Sequence, residues 1–258
     1  MSFRAKTCLR RKRQKMKFAF PGIGTVVNVL AIVIGGVAGL YFGKLLKHQQ
    51  QDALAKASGI CVIFLGISGA MEGMLTVEGQ HLAAGSTMLV IASLILGGLA
   101  GEILDIEGKL EQFGEWLRNS TGNASDGGFI DGFVTASLTV SIGAMAILGA
   151  IQDGILGDPT TLYTKAVLDL IIIMVMAGAM GKGCIFSAVP VAILQGSVTL
   201  LARLISPLMT DAALANISLV GSIMIFCVGV NLVWGKTVRV ANLLPSLIVA
   251  VAIAFLPL

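Results

Sequence analysis

The chain has 258 residues, 56% hydrophobic and only 12% charged, with 32 glycines and a mean hydropathy of +0.91. An ordinary soluble domain carries roughly a quarter charged residues, so a water-soluble globule is excluded; the lack of a glycine period and the small net charge exclude collagen-like and disordered chains. The net charge of +4 divides sharply, because Arg4, Lys6, Arg10, Arg11, Lys12, Arg13, Lys15 and Lys17 precede any acid, leaving ten bases against all 14 acids in the remainder.

Two regions follow: a basic extension over 1–17 and a single transmembrane domain over 18–258. The basic run has no aromatic residues interleaved for stacking on bases, so it suits an anionic membrane surface and not nucleic acid. Beyond it, apolar runs of about the length that crosses a hydrocarbon layer place helices near 22–43, 57–75, 84–104, 130–152, 163–181, 184–205, 213–234 and 241–257. The expected fold is all-α, a polytopic membrane helix bundle of eight spans. Seven is the fallback if the fifth and sixth, divided by Gly181-Lys182-Gly183 and holding Pro190, form a short or re-entrant pair. Glu102 to Gly128 reads as a solvated helical extension followed by a flexible linker.

The first helix places Thr25, Asn28, Ile32, Gly35 and Gly39 at spacings of three and four, a small and polar stripe on one face. Sliding it by 62 residues matches Gly35-Gly36-Val37-Ala38-Gly39 with Gly97-Gly98-Leu99-Ala100-Gly101, which predicts an internal repeat of a helical hairpin covering the first four spans. A weaker echo links Ile60–Ser68 with Ile223–Asn231, two helices that would point in opposite directions. Glycine faces of this kind pack helices closely, and they also allow a homo-oligomer.

The fourth helix carries Thr135, Thr139, Gly143, Ala146, Ala150 and Asp153 on one face, with Ser137, Ser141 and Gln152 beside it. Such a face requires protein or water, because an unpaired amide or carboxylate in hydrocarbon is costly. Asp169 stands four residues after Lys165, where the two pair along one helix face or Asp169 serves as an ion or proton site. Gln195 follows Pro190, whose missing amide hydrogen frees a carbonyl. Asn231 lies near the end of the seventh helix beside Trp234, whose indole suits the headgroup zone.

Lys and Arg in short loops set orientation. One side receives Lys44, Lys47, Lys56, Lys109, Arg118, Lys182, Lys236 and Arg239, and the other only Lys165 and Arg203. The first side is therefore inside and the core N-terminus outside, which the basic extension contradicts. Translation starting at Met16 removes the conflict; a cytoplasmic, lipid-contacting arm is the competing reading.

No enzyme is expected. His48 and His81 sit in predicted loops without ligands nearby, the cysteines Cys8, Cys61, Cys184 and Cys227 are scattered, and no Gly-rich loop ends in Gly-Lys-Ser/Thr, so no catalytic residue, metal, cofactor or nucleotide is assigned. The candidate substrate-binding residues are Asn28, Gln152, Asp153, Gln195 and Asn231, with Asp153 and Asp169 as candidate ion or proton sites. Together they point to a secondary transporter of a small polar or ionic solute; a non-transporting scaffold or regulatory protein and a passive channel are the alternatives.

Gly24-Thr25-Val26-Val27-Asn28, the Gly-Gly-Val-Ala-Gly block, the stretch Ser141 to Gly154 (SIGAMAILGAIQDG), and Phe186-Ser187-Ala188-Val189-Pro190-Val191 with Gln195-Gly196-Ser197 resemble the bacterial multi-pass family of YdfK-like and YqgA-like proteins, a domain of unknown function. The resemblance runs from about Phe20 to Phe255. It implies a bacterial inner-membrane protein and supplies no substrate. It also implies a start close to Met16, with residues 1–15 as the departure.

Overall fold

The computed structural model describes residues 21–78, 81–142 and 144–255. The basic extension, Cys8 and the Met16 start lie outside the described residues. The chain forms α1 (Ile23–Gly43), α2 (His48–Met74), an antiparallel hairpin of β1 (Leu75–Glu78) and β2 (His81–Ala84) with Leu75 opposite Ala84, α3 (Thr87–Leu104) and α4 (Ile106–Ser120). Then follow α5 (Phe129–Ser141), α6 (Ala144–Leu156), α7 (Thr160–Met180), a 3-10 turn (Lys182–Ser187) running into α8 (Ala188–Leu200), and short α9 (Ala202–Ile205). After a second 3-10 turn (Ser206–Leu208) come α10 (Asp211–Trp234), a third (Val240–Leu243) and α11 (Pro245–Ile253).

Among the described residues six helices are long and apolar enough to cross a membrane: α1, α2, α3, α7, the Lys182–Leu200 unit and α10. The number rises to seven if α5 and α6, bent by 62° at their junction, make one broken span. Among the described residues the count is thus six or seven, and an eighth span is not confirmed. The run read over 241–257 yields only the short apolar helix Val240–Ile253, and the continuous helix expected over 130–152 is interrupted after Ser141. Pro190 stands third in α8, just after the 3-10 turn that runs into it.

Glycines fix the packing. A Cβ on Gly35 would strike the Leu170 carbonyl, one on Gly39 the Met174 carbonyl, and one on Gly43 would come within 2.6 Å of the Gly178 carbonyl. Both partners advance together by four residues, so α1 and α7 run parallel with their backbones in close contact. On α2, Gly59, Gly66, Gly69 and Gly73 face Leu232, Phe226, Ser222 and Leu219 in turn, an antiparallel pair with α10. The second glycine block does the same work on α3, where Gly97 meets Ser246 and Gly101 the Asn242 carbonyl. These glycine faces are thus occupied within the chain. The parallel α1–α7 contact also bears on the broken helix. With α2 and α3 each crossing once and the polar α4 not crossing, α7 can follow α1 in direction only if α5 and α6 together cross once.

α4 is not solvated throughout. Glu107, in its first turn, is 2% exposed. Its carboxylate accepts from the Ala241 amide at 3.1 Å and pairs with the Lys236 ammonium at 2.9 Å; Glu111 closes on the same lysine, and Arg239 bridges Glu102 and Asp105. The segment read as a linker is turn-rich, and its Asn123 accepts from Lys182 at 3.1 Å. Partial burial pulls the Lys236 ammonium down, but its bonds to Glu111 and Glu107 outweigh this and hold it above the ordinary lysine range. Lys236→Met is expected to lower stability by about 1–2 kcal/mol, the half-exposed lysine being partly screened. Because the folded state raises this group, the advantage of the native lysine is full at neutral pH and disappears as pH rises through its elevated pKa. Thermal unfolding of both proteins across the alkaline range measures it.

Candidate functional site

The break between α5 and α6 creates the site. Ile142 takes an extended conformation (ψ 128°) at the end of α5, so the backbone leaves the helix there and the carbonyls of its last turn lose their partners four residues on. One of them, Val140, accepts instead from the Lys165 ammonium of α7 at 2.7 Å. Lys165 also holds both carboxylate oxygens of Asp169, at 2.8 and 2.7 Å, from one turn away on the same helix. Asp169 Oδ2 accepts in addition from the Asn28 amide of α1 at 3.0 Å, and Asn28 donates to the Gln195 amide oxygen of α8 at 3.2 Å.

Five segments thus contribute to one buried network: α1, α5, α7 and α8 through these bonds, and α6 through the layer beside it. Asn28 is fully buried, and Gln195, Asp169 and Lys165 nearly so. Asp169 stands nine residues from the start of a 21-residue helix, roughly 14 Å along it at 1.5 Å per residue. That is close to the middle of a hydrocarbon layer about 30 Å thick. An ion pair at such depth survives only because its charges balance and its lone pairs are filled. The network is incomplete, for Asn28 Oδ1 and Gln195 Nε2 find no partner among the described residues.

Toward the start of α1, Asp153 from α6 accepts from the Gly24 amide at 2.9 Å, a carboxylate at a helix N-terminus, where the backbone dipole favours it. Asp153 is fully buried and its other oxygen has no partner among the described residues. Beside it, the hydroxyls of Thr25 and Thr199 stand 3.4 Å apart. In the opposite direction lies a cavity of about 220 Å³ lined by Glu107, Glu111, Asp131, Thr135, Asn231 and Lys236, among others. It opens where α4 meets the ends of α7 and α10.

The structure therefore brings Asn28, Gln195 and Asp169 into direct contact and sets Asp153 in the adjoining layer. Gln152 is near but separately engaged, accepting from the Thr161 hydroxyl at 2.7 Å. Asn231 does not join them. It closes its own helix end, donating to the Val238 carbonyl and accepting from the Thr237 and Val238 amides, and it borders the cavity. Two expectations are corrected. The face from Thr135 to Asp153 is not continuous, because the helix breaks within it. Lys165, assigned to a loop, lies inside α7 and is 7% exposed. The Val140 carbonyl was missed altogether, since a main-chain acceptor leaves no mark in a side-chain pattern. Ser137 Oγ and Ser141 Oγ, also buried, have no partner among the described residues. Among the described residues no three His, Cys, Asp or Glu side chains form a metal-holding group.

Comparison with known proteins gives the family but no chemistry. The chain is 31% identical over 233 residues to "Uncharacterized membrane protein YdfK" of Bacillus subtilis (strain 168), covering 90% of this chain and 95% of that one. It is 28% identical over 236 residues to "Uncharacterized protein YqgA" of Escherichia coli (strain K12), covering 90% and 96%. No solved structure matches. The family model described as "Protein of unknown function (DUF554)" matches residues 23–255, and the chain, a membrane protein, belongs to that family.

Proposed function

We propose that the chain is a secondary transporter of a small polar or ionic solute in the bacterial inner membrane. The observation that carries this reading is a helix broken at mid-bilayer depth whose freed carbonyl joins side chains of α1, α7 and α8 in a buried, incompletely paired network. Irregular backbone is tolerated at that depth only where it is enclosed by protein or borders water, and discontinuous helices supply solute and ion sites in transporters. Polar groups recur on either side of the network. Asp153, Thr25 and Thr199 stand toward the α1 start, and the cavity with Asp131 and Asn231 lies toward the α10 end. Loop charges support a cytoplasmic position for the cavity. With Lys165 withdrawn into α7, the outer side keeps Arg203 alone against eight bases. The shared Gly-Gly-x-Ala-Gly block of α1 and α3, two helices of the same direction, fits an internal duplication.

A scaffold is the second reading, favoured by the partners that Asp153, Lys165 and Asp169 already have. The two separate by uptake of a panel of radiolabelled small polar solutes and inorganic ions into proteoliposomes. At least one should be carried well above empty vesicles and at least tenfold more slowly by Asn28→Leu, Gln195→Leu or Asp153→Asn. No uptake of any solute leaves the scaffold.

A further inference from the structure

We propose that the cavity of about 220 Å³ beside α4 is the solute pocket, and that it takes a small primary ammonium ion carrying an apolar stem. This names the solute class for the transporter reading and rests on it. The walls grade from polar to apolar along two helices. On α5 the lining residues Asp131, Thr135 and Leu138 share one face, and they pass from exposed through half-buried to 6% exposed. At the α10 end Lys236, Asn231 and Val228 make the same passage, finishing at 1% exposed. Both series end inside the bundle, so the mouth is charged and the floor is apolar. From Asp131 to Leu138 is about 10 Å along the helix, and the floor then lies two residues from Val140, whose carbonyl belongs to the buried network.

The charge at the mouth selects the ligand. The lining holds three carboxylates, Glu107, Glu111 and Asp131, against the single ammonium of Lys236, so an anion is repelled. Both glutamates close on Lys236, and Glu107 also accepts from the Ala241 amide at 3.1 Å. Asp131 differs from them. Neither its carboxylate nor the hydroxyl of Thr135, one turn deeper, has a partner among the described residues. The two offer acceptors for the N–H groups of one ammonium. The three carboxylates do not gather into a metal-holding group, and the rest of the wall is mainly Val134, Leu138, Met180, Val228 and Leu232. A bare metal ion would also leave most of the space empty, since one water takes only about 30 Å³ in the liquid. A stem of a few methylenes fills it and leaves water for an apolar floor.

The test is titration calorimetry of the full chain in detergent with butylammonium, with butyrate and butanol as controls of equal stem and protein-free micelles as the blank. Butylammonium should bind saturably at about one per chain, and both controls at least tenfold more weakly. Affinity should rise roughly threefold per methylene from methylammonium to butylammonium. Asp131→Asn should weaken butylammonium at least tenfold and still unfold near the wild-type temperature, because the exposed carboxylate leaves no partner stranded. Butyrate bound as tightly, a flat chain-length series, or an Asp131→Asn variant that binds like the native chain overturns the proposal. The first two are read on the native chain and need no variant. If no alkylammonium binds while a solute of the uptake panel is carried, this inference falls and the transporter reading stands. If butylammonium binds and nothing is carried, the pocket stands and the transporter reading falls.

Discussion

Asp169→Ala is expected to cost about 3–5 kcal/mol of stability in detergent, because it strands the Lys165 ammonium among apolar helices. The native pair is not itself a large source of stability. Drawing two charges out of water costs nearly as much as their attraction returns, and the double variant Lys165→Met with Asp169→Leu should therefore recover most of the loss. What remains is the unpaired Val140 carbonyl and Asn28 amide, about 1–3 kcal/mol each. Thermal unfolding of Lys165→Met, Asp169→Leu and the double closes the cycle. A double variant less stable than Asp169→Ala would contradict this account of the pair.

Gly39→Ala is expected to destabilise by about 1–3 kcal/mol through overpacking, although helix propensity alone predicts a gain of about 1 kcal/mol. The sign decides between them. Its Cβ would meet the Met174 carbonyl, a backbone atom that cannot swing aside, so α1 must lift off α7. Asn28 sits on the same face of α1 and its bond to Asp169 should loosen as well. Gly196→Ala is the control. Nothing lies within 4 Å of the added methyl, so that variant should match or exceed the native protein. Unfolding temperatures of the pair make the comparison.

Much of this arrangement is legible in the sequence, and what is not follows from physics that a sequence pattern does not carry. The glycine spacing of α1 and the i, i+4 relation of Lys165 and Asp169 are local, so helical geometry alone predicts a packing face and an ion pair. The depth of that pair was misread because the helix begins at Thr160, which carries Lys165 more than a turn inside. The break at Ile142 is invisible to composition. The stretch from Ser141 to Ala146 is small and apolar, contains no proline, and reads as uninterrupted helix, while its opening is set by Lys165 from α7 taking the place of an amide. Asn28 and Gln195 are 167 residues apart, and a polar residue in each of two helices does not say that they meet. Asn231 illustrates the converse, since a polar residue near the end of an apolar helix serves that helix end alone.

The central claim is that water reaches the network of α1, α7 and α8 from both faces of the membrane. It is tested by placing single cysteines at Thr25 and at Thr139, in a chain whose four native cysteines are replaced, and labelling oriented vesicles with a membrane-impermeant maleimide from each side in turn. Alternating exposure predicts labelling of both positions from both sides. Labelling of neither position, or of each from its nearer side alone, would contradict it.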